Sequence, residues 1–409
     1  MRRNGGGWLV RSPTVERVVV VGGGLAGLRV VTELRDRGYA GQLTLLGAER
    51  HPPYDRPPLS KAVLSGAADN STLNADWTAL DVQLLLGKTA TALRDVIDAG
   101  GVVETDAGFL DFTGCVIATG ATPVRLPGAG RQRVLRTIDD ALALRAALRP
   151  DARVVVVGAG WIGAEVATAA ATVGCRVTVV EATDAPLGGV LPAEVGAPTA
   201  RWYADSGVDL RTNTRVAAVH DAGVELDDGT LLPADEVVTA VGVRPETGWL
   251  AGSLLPVDRA ILVSPELRTA LPPVYAVGDC AAWESARYAS RVHVEHWDTA
   301  LRAPAVAAAN LLGGRERYDP VPYFWSEQFG SIVQYAGYHR VADRLVWRGD
   351  SKDSSWTVCW LRRDSLVAVL TVDRPRDLAQ ARRAMERGAQ VDADRLADPN
   401  LALRDTLAR

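Results

Sequence analysis

The sequence has few cysteines and no long apolar run. The first shortage argues against a redox disulfide, and the second argues against a membrane-spanning helix. Its four cysteines, at positions 115, 175, 280 and 359, form neither a CxxC nor a CxxxxC pair. We expect them to be buried, reduced side chains that behave as small apolar residues. No run reaches the ~18 consecutive apolar residues of a membrane-spanning helix. The formal net charge of −4 argues against nucleic acid as the main partner.

Glycine, in contrast, is abundant. The 39 glycines, together with 47% apolar and 23% charged residues, are typical of an α/β protein, and 409 residues are enough for two or three domains. Residues 1–14 have no apolar core of the kind found in signal peptides. We predict that they form a mobile tail, and that the protein is cytoplasmic and does not bind a membrane.

A glycine-rich turn near the N-terminus follows a short β-branched run and precedes a helical pattern, as in dinucleotide-binding folds. Gly22 permits the tight turn, Gly24 lets the backbone approach a pyrophosphate, and Gly27 lets the helix pack on the strand. The helix N-terminus, at Leu25 and Ala26, offers unpaired N–H groups to the phosphates. For a single copy of the motif, a packing turn without a ligand is an equal alternative.

The same pattern occurs a second time, after a predicted strand at residues 153–157. The motif is GAGWIG, made of Gly158, Ala159, Gly160, Trp161, Ile162 and Gly163. Two such turns predict two bound dinucleotides, and a flavin with a nicotinamide is the simplest pair. Trp161 is placed to cover the flavin face until the nicotinamide displaces it, and ordinary packing is the alternative.

An acidic residue follows the second strand of this repeat, which we place at residues 176–180. Glu181 lies 18 residues beyond Gly163, where a carboxylate accepts hydrogen bonds from a ribose diol and repels a 2′-phosphate. No arginine occurs in residues 182–189. We therefore expect NADH rather than NADPH as the nicotinamide substrate.

Charged residues after the first repeat predict contacts with the flavin nucleotide. Glu49, after a predicted strand at residues 42–46, is the candidate for the adenosine ribose, and a solvated loop residue is the alternative. The proline-rich segment HPPYDRPPLSK predicts a stiff loop that carries Arg56, Pro57 and Lys61. A fixed cation in this loop would stabilise a reduced, anionic flavin. A plain surface loop is the alternative.

A later segment is expected to return to the same cofactor. A predicted strand at residues 274–277 runs into Gly278 and Asp279, whose carboxylate is placed to bind a ribityl hydroxyl. A predicted helix follows Trp297, and its N-terminus would favour negative charge on the flavin. His293 and His296 suggest a metal site, but no third ligand with suitable spacing occurs. We therefore expect no metal.

These segments predict an α/β fold with two Rossmann-like dinucleotide-binding domains and a C-terminal α+β domain. We place a discontinuous FAD-binding domain at residues 15–122 and 256–320 and an NADH-binding domain at residues 123–255. The C-terminal domain, an antiparallel sheet with a helix, takes residues 321–409. In the first domain, residues 109–117 are predicted to form one strand. It ends in a small-residue turn that we include among the cofactor contacts, namely Ala118, Thr119 and Gly120.

With these residues identified, the chain resembles the FAD-dependent ferredoxin reductases of bacterial oxygenase systems. These are the putidaredoxin reductase and biphenyl dioxygenase reductase type of the glutathione-reductase-like superfamily. The motifs PYDRPPLSK, ATG, VGVRP, VGDC, VEHW and YFWSEQ occur in that order. The resemblance implies a non-covalent FAD that takes hydride from NADH and passes single electrons to a small acidic iron–sulfur ferredoxin. The ferredoxin would feed a haem monooxygenase or a Rieske oxygenase. We expect a monomer or a weak homodimer.

The resemblance also implies individual cofactor contacts. Around FAD it places Gly22, Gly24, Ala26, Arg56, Pro57, Lys61, Ala90, Arg136, Asp279 and Trp297, to which we add His296. Around NADH it places Gly160, Trp161, Ile162, Glu165, Glu181 and Gly242. Lys61 and Glu165 resemble the pair that lies beside flavin N5 and the nicotinamide, and with Trp161 they are the candidate catalytic residues. The chain departs from the family at Ala48, where relatives usually have an acid, and near Gly188, where they often have an arginine.

Because the cysteines are not paired, we expect electrons to leave the flavin directly. Five arginines are candidates for a basic patch on which the ferredoxin docks, and a solvated surface is the alternative. They are Arg315, Arg317, Arg340, Arg344 and Arg348. Two other activities remain open at this point. One is NADH-dependent reduction of a small molecule or oxygen, and the other is NADH sensing by a flavoprotein.

Overall fold

The computed structural model describes residues 15–408, so the predicted mobile tail at residues 1–14 lies outside the described residues. The first group of elements is β1 (Arg17–Val21), α1 (Leu25–Asp36), β2 (Gln42–Gly47), α2 (Trp77–Leu80), β3 (Gln83–Leu86), β4 (Ala90–Ile97), β5 (Gly100–Thr105), β6 (Gly108–Phe112), β7 (Gly114–Ile117) and β8 (Ala121–Pro123). The second group is α3 (Ile138–Ala147), β9 (Arg153–Val157), α4 (Trp161–Val173), β10 (Arg176–Val180), α5 (Ala193–Gly196), α6 (Ala200–Asp205), β11 (Asp209–Arg211), β12 (Val216–His220), β13 (Gly223–Leu226), β14 (Leu231–Pro233), β15 (Glu236–Thr239) and β16 (Val243–Pro245).

The remaining elements complete the first domain and form the last one. The third group is β17 (Val257–Asp258), β18 (Ala260–Val263), β19 (Val274–Ala276), β20 (Ala281–Ser285), β21 (Ser290–Val292) and α7 (Trp297–Leu311). The fourth group is β22 (Tyr323–Gln328), β23 (Ser331–Gly337), β24 (Arg344–Arg348), β25 (Trp356–Arg362), β26 (Ser365–Val372), α8 (Pro375–Glu386) and α9 (Ala393–Ala397). Within residues 15–408, no helix combines the length and the hydropathy needed to cross a bilayer.

The first sheet is parallel and has the strand order β19-β7-β1-β2-β3. Its central strand β1 has the sequence RVVVV, and its four valines are at most 2% exposed. A run of β-branched side chains is expected in a strand that is covered on both faces. Helices α1 and α7 pack against each other beside this sheet. Because β19 belongs to the third group, the chain returns to the first sheet after the second group is complete.

The second sheet repeats this arrangement with the order β11-β10-β9-β15, and helix α4 follows β9. A small antiparallel sheet, β12-β13-β14, shares an apolar cluster with it. Strands β8 and β16 pair where the chain enters and leaves this second unit. The predicted fold class with two Rossmann-like units is confirmed. The exact domain boundaries stay predictions.

The final sheet is antiparallel, with the order β22-β23-β26-β25-β24. Helix α8 covers one of its faces with Leu378, Ala381 and Met385, which belong to a buried cluster together with Val369. The predicted C-terminal combination of antiparallel sheet and helix is therefore present.

The prediction of one strand over residues 109–117 is wrong, because the chain changes sheets at Thr113. Strand β6 pairs antiparallel with β5, whereas β7 pairs parallel with β1. The Thr113 N–H donates to the carbonyl of Arg17 at 2.9 Å, which fixes the bend against the start of β1. An apolar run alone cannot show that two different partner strands divide it.

The inclusion of Arg348 in an exposed basic patch is also wrong, since this residue is 1% exposed. Its Nε lies 2.9 Å from Oδ2 of Asp377 on α8. The other guanidinium nitrogens donate to carbonyls of the C-terminal segment at Leu396, Asp398 and Leu401. Arg348 therefore ties strand β24 to the end of the chain instead of facing a partner.

We predict that Arg348→Met destabilises the protein strongly, because it leaves the Asp377 carboxylate and several carbonyls without their donor. The expected loss in free energy of unfolding is about 3–5 kcal/mol. Urea unfolding followed by tryptophan fluorescence measures it. Arg344→Met on the same strand is the matched control, because the Arg344 side chain is 52% exposed and forms a long ion pair with Asp394 at 3.7 Å. Equal midpoints for the two variants would contradict the structural role of Arg348.

Candidate functional site

The first glycine turn is shaped by contacts that exclude side chains at two of its positions. A Cβ at Gly22 would lie 2.1 Å from the carbonyl oxygen of Ala118, and one at Gly27 would lie 1.9 Å from the carbonyl oxygen of Gly22. A Cβ at Gly24, in contrast, would meet no protein atom within 4 Å. Gly22 and Gly27 therefore allow close packing of the backbone, and Gly24 leaves open space at the start of α1.

The second turn has the same geometry. A Cβ at Gly158 would lie 2.5 Å from the oxygen of Ala240, and one at Gly163 would lie 1.9 Å from the oxygen of Gly158, while Gly160 has open space around it. Neither α1 nor α4 has a side-chain cap or an acidic residue in its first turn. Their first N–H groups are therefore free to bind an anion. The structure thus has two similar places for a pyrophosphate.

The two carboxylates predicted to bind ribose are held in different ways. Glu181 Oε2 accepts from the Ala159 N–H at 2.7 Å, and its Oε1 accepts from Thr183 N and Oγ1 at 2.9 and 2.8 Å. Glu49 is bound differently, because its two oxygens accept from Arg56 at 2.7 Å and from the Tyr54 hydroxyl at 2.5 Å. Glu181 is thus held against the second turn by the backbone, while Glu49 is engaged mainly by its own loop.

Four further predicted residues, Arg136, Asp279, Gly120 and Gly278, lie near the first turn. Arg136 Nη2 lies 2.7 Å from Asp279 Oδ2, and a Cβ at Gly120 would lie 3.3 Å from the same nitrogen. A Cβ at Gly278 would come within 3.5 Å of Ala26 on α1. The Arg136 Nε is buried and has no hydrogen-bond partner among residues 15–408. The end of β19, the turn at residues 118–120 and the loop before α3 therefore converge on the start of α1.

Lys61 and Glu165 form an ion pair whose carboxylate is buried and whose lysine is partly exposed. Glu165 is on α4 and is 4% exposed, and its Oε2 lies 2.9 Å from Lys61 Nζ. The same oxygen accepts from Ser60 Oγ, while Oε1 accepts from Ser326 Oγ at 2.6 Å and from the Glu327 N–H at 3.2 Å. Four donors therefore surround one carboxylate. They come from the proline-rich loop and from strand β22.

Aromatic side chains border this ion pair. Trp161 meets Phe324 edge-on with ring centroids 4.6 Å apart, and His296 lies 4.7 Å from the same ring. Trp297 Nε1 donates to Asp55 at 2.5 Å and its ring lies 5.8 Å from that of Trp325. Packing against a ring of β22 thus determines where Trp161 lies.

Burial shifts the pKa of two groups near Trp297, His296 and Asp55. It lowers the pKa of His296 to about 4, against a smaller opposing effect of Asp279. His296 Nδ1 is buried without a protein partner. Burial raises the pKa of Asp55, and the hydrogen bond from Trp297 partly offsets this. A neutral imidazole with a free nitrogen thus lies at the N-cap of α7.

The remaining predicted residues lie at the ends of elements. Pro57 starts a 3₁₀ turn at Pro57–Ser60, Leu25 starts α1, and Ala90 starts β4. Ile162 is 41% exposed in the first turn of α4, and Gly242 has open space around it. The Thr119 hydroxyl donates to the carbonyl of Glu246, so it is already engaged in the protein. These positions stay predicted contacts.

Sequence reasoning missed several residues that the structure places in the site. They are Tyr54, Asp55, Ser60, Phe324, Trp325 and Ser326. All six lie inside the motifs PYDRPPLSK and YFWSEQ, and the hydroxyl groups beside charged residues were the available signal. Their partners lie far away in the sequence, and spacing does not reveal such contacts.

The cysteines offer no pathway through sulfur in the described part of the chain. All four are free; Cys115, Cys280 and Cys359 are buried, and Cys175 is partly exposed. Burial raises the pKa of the Cys280 thiol. Among residues 15–408, no cluster of three or more His, Cys, Asp or Glu side chains could hold a metal ion.

Comparison with known proteins extends these observations. The pyridine nucleotide-disulphide oxidoreductase family matches residues 16–303, and a reductase C-terminal family matches residues 323–407. Putidaredoxin reductase CamA of Pseudomonas putida is 34% identical, with 96% of this chain and 97% of that protein covered. The ferredoxin--NAD(+) reductase component of the anthranilate 1,2-dioxygenase system of Burkholderia cepacia is 36% identical, with 95% and 98% covered.

Two solved structures are similar over nearly the whole chain. The crystal structure of Fdr9 matches with a TM-score of 0.90 and 49% identity, covering 95% of this chain and 99% of that one. The covalent putidaredoxin reductase–putidaredoxin complex matches with a TM-score of 0.90 and 33% identity, covering 96% and 98%. Since these matches run through all domains, the order of the domains is shared as well.

We predict that Gly24→Ala weakens cofactor binding, whereas Gly27→Ala lowers the stability of the fold. Gly24→Ala should fold with an unchanged Tm but bind FAD about tenfold more weakly or worse, because the methyl group occupies the space proposed for the pyrophosphate. Gly27→Ala should lower the Tm, because its Cβ would meet the Gly22 carbonyl. Circular dichroism of the apoprotein and fluorescence titration with FAD measure the two effects. Wild-type FAD affinity in Gly24→Ala would contradict the proposed phosphate site.

We predict that His296 lowers stability in acid. Its pKa is about 4 when folded and ~6.5 when unfolded, so the unfolded chain binds more protons between these values. The free energy of unfolding should therefore fall as the pH falls from 6.5 to 4, and His296→Phe should reduce this fall by about 1–2 kcal/mol. Urea unfolding at several pH values measures the slope. His220→Phe, at a partly exposed side chain, is the control. Identical slopes in His296→Phe and wild type would contradict the prediction.

Proposed function

The chain belongs to the pyridine nucleotide-disulphide oxidoreductase family, and from this premise we propose that it is an NADH:ferredoxin oxidoreductase with a non-covalent FAD. The resemblance to ferredoxin reductases of oxygenase systems, found from the motifs, is confirmed by these relatives. The observation that carries the proposal is the pair of open glycine turns together with the ion pair of Lys61 and the buried Glu165. The family description and the relatives' names support a flavin and NAD, and the assignment of FAD rests on the donor set.

The first turn fits a flavin dinucleotide. The open space at Gly24 and the free N–H groups of α1 suit a pyrophosphate. Asp279, held by Arg136, suits a ribityl hydroxyl, and the free Nδ1 of His296 is a further polar atom for the ligand. A bound flavin supplies acceptance of hydride at N5 and release of the electrons one at a time.

The second turn fits NADH. Its N–H groups and open space at Gly160 suit the pyrophosphate, and Glu181 is held by Ala159 and Thr183 where it can meet the ribose. A carboxylate there accepts hydrogen bonds from the 2′-hydroxyl and repels a 2′-phosphate. The negative charge of Glu181 beside the ribose would thus select NADH over NADPH.

Lys61 is proposed to stabilise negative charge on the ring system between the two turns. Glu165 and the Pro57 carbonyl, at 2.9 and 3.4 Å, hold its ammonium group in place. Trp161 is proposed to cover this position until the nicotinamide takes its place. Positioning two rings in near-attack geometry removes an entropic barrier of up to ~7–11 kcal/mol. The proline-rich loop and helix α4 are the parts of the chain that provide this positioning.

Electrons are proposed to leave directly to a small acidic iron–sulfur ferredoxin. A structural relative is a complex of putidaredoxin reductase with putidaredoxin, which supports this partner class. Of the remaining arginines of the predicted patch, Arg317 lies 3.6 Å from Glu266 and Arg344 lies 3.7 Å from Asp394, so their charges are partly compensated. Such redox encounters are small, transient and steered by charge.

Anaerobic stopped-flow spectroscopy tests the proposal. Protein reconstituted with FAD should lose its visible flavin absorbance on mixing with NADH, and much more slowly with NADPH. Added ferredoxin should then accelerate cytochrome c reduction. Turnover with oxygen or a quinone without any acceleration by ferredoxin would instead support a small-molecule reductase. A long-lived NADH complex that dimerises without turnover would support a sensor.

We predict that Glu181→Ala weakens the preference for NADH, because the variant loses the ribose acceptor and the charge that repels a 2′-phosphate. The ratio of kcat/KM for NADH to that for NADPH should fall about tenfold or more. Glu194→Ala, at an exposed acid in the same domain, is the matched control. An unchanged ratio in Glu181→Ala would place the selection elsewhere.

A further inference from the structure

Strand β22 presents alternate side chains to different parts of the site. Phe324 contacts Trp161, Ser326 donates to Glu165, and Gln328 donates to Ser326. On the opposite side of the strand, Trp325 lies against Trp297 and Tyr323. Because successive side chains in a strand point to opposite faces, Phe324 and Ser326 face α4, whereas Trp325 lies on the other face against Trp297.

The Ser326 hydroxyl has a defined direction. Its Oγ is 2.6 Å from Glu165 Oε1, and Gln328 Nε2 lies 3.1 Å from the same Oγ. A hydroxyl has one hydrogen, and since the Gln328 amide donates to its oxygen, that hydrogen is directed at the carboxylate. Ser326 and Gln328 are 0% and 1% exposed, so water does not compete with this arrangement.

The two oxygens of Glu165 are therefore divided between domains. Oε2 is held by Ser60 and Lys61 of the proline-rich loop, and Oε1 is held by Ser326 and the Glu327 N–H of the C-terminal domain. Loss of the Ser326 donor would free one side of the carboxylate to rotate. Lys61, which is held from the other side, would then lose its fixed partner.

A second contact fastens the same helix. The Phe329 N–H, in the turn after β22, donates to Thr168 Oγ1 at 3.0 Å, one helical turn beyond Glu165. Helix α4 starts at the second glycine turn. Strand β22 and its turn therefore fix α4 along the face that carries Trp161, Glu165 and Thr168.

We propose that Ser326 is a positioning residue for Glu165, so that the C-terminal domain takes part in the NADH half of the reaction and does not serve only as a place for the ferredoxin to dock. The inference rests on the proposed function. It assigns to Ser326, supported by Gln328, the orientation of the carboxylate that holds Lys61.

Separate measurement of the two half-reactions tests this role. For Ser326→Ala, the rate constant of reduction by saturating NADH should fall about tenfold, the size expected for a lost hydrogen bond to a charged group. The charge-transfer absorbance formed when NAD⁺ is added to reduced protein should shift or weaken. Electron transfer from photoreduced protein to ferredoxin should keep its wild-type rate. Ser326→Thr, which keeps the hydroxyl, should restore the reduction rate.

Ser285→Ala is the matched control, because it also removes a buried serine that donates to a carboxylate, that of Asp319, away from this cluster. It should keep the wild-type reduction rate. A Ser326→Ala rate within about twofold of wild type, an equal loss in Ser285→Ala, or a loss confined to the ferredoxin step would overturn the proposal. If Ser326→Ala does not fold, Gln328→Leu replaces it, because this variant removes the donor that orients the Ser326 hydroxyl. Its rate constant of reduction by NADH should also fall, and a wild-type rate would overturn the proposal.

Failure of the proposed function gives a different result. If NADH does not reduce the wild-type protein at all, the oxidoreductase assignment fails and this inference fails with it. If wild type is reduced and the serine variants are reduced equally fast, the assignment stands and the role of Ser326 alone is rejected.

Discussion

The buried carboxylate of Glu165 forms an ion pair and several hydrogen bonds, and the arrangement of the domains depends on these contacts. A buried charge is tolerated only where hydrogen bonds and an opposite charge compensate it. Here Lys61 and Ser60 come from the first domain, Ser326 and Glu327 come from the last one, and Glu165 itself is on the helix of the second. Movement of any one domain would remove part of this compensation. The ion pair at the proposed reaction centre is thus also a point where the three proposed domains meet.

The two glycine turns follow one physical rule. In each, two glycines are required because a neighbouring carbonyl occupies the space of a side chain, while the third glycine faces open space. Packing alone explains the first and last glycines of each turn. The middle glycine, Gly24 or Gly160, is explained by a ligand that approaches the backbone, and its presence in both copies supports two nucleotides in a chain that joins them through Lys61 and Glu165.

Much of the fold could be predicted from local pattern, because buried parallel strands and glycine turns have local signals. Lys61 was predicted from the proline-rich loop and Glu165 through the family resemblance, and the structure brings them together. Ser326 was not assigned a role because its partner is 161 residues away and a serine in a strand has no distinctive spacing. Arg348 was misplaced because a charged residue in an alternating strand resembles a surface residue, and only the C-terminal segment that covers it makes it buried. The strand at residues 109–117 was divided by its partners, which the sequence does not identify.

The central claim is that Lys61 and Glu165 act as one unit in the transfer of hydride from NADH. A double-mutant cycle on the rate constant of flavin reduction, with Lys61→Met, Glu165→Gln and the double variant, tests it most directly. If the pair is a unit, the double variant should be about as slow as either single variant, which corresponds to a coupling of about 1–2 kcal/mol or more. Losses that multiply, so that the double variant is slower by the product of the two single effects, would contradict the account.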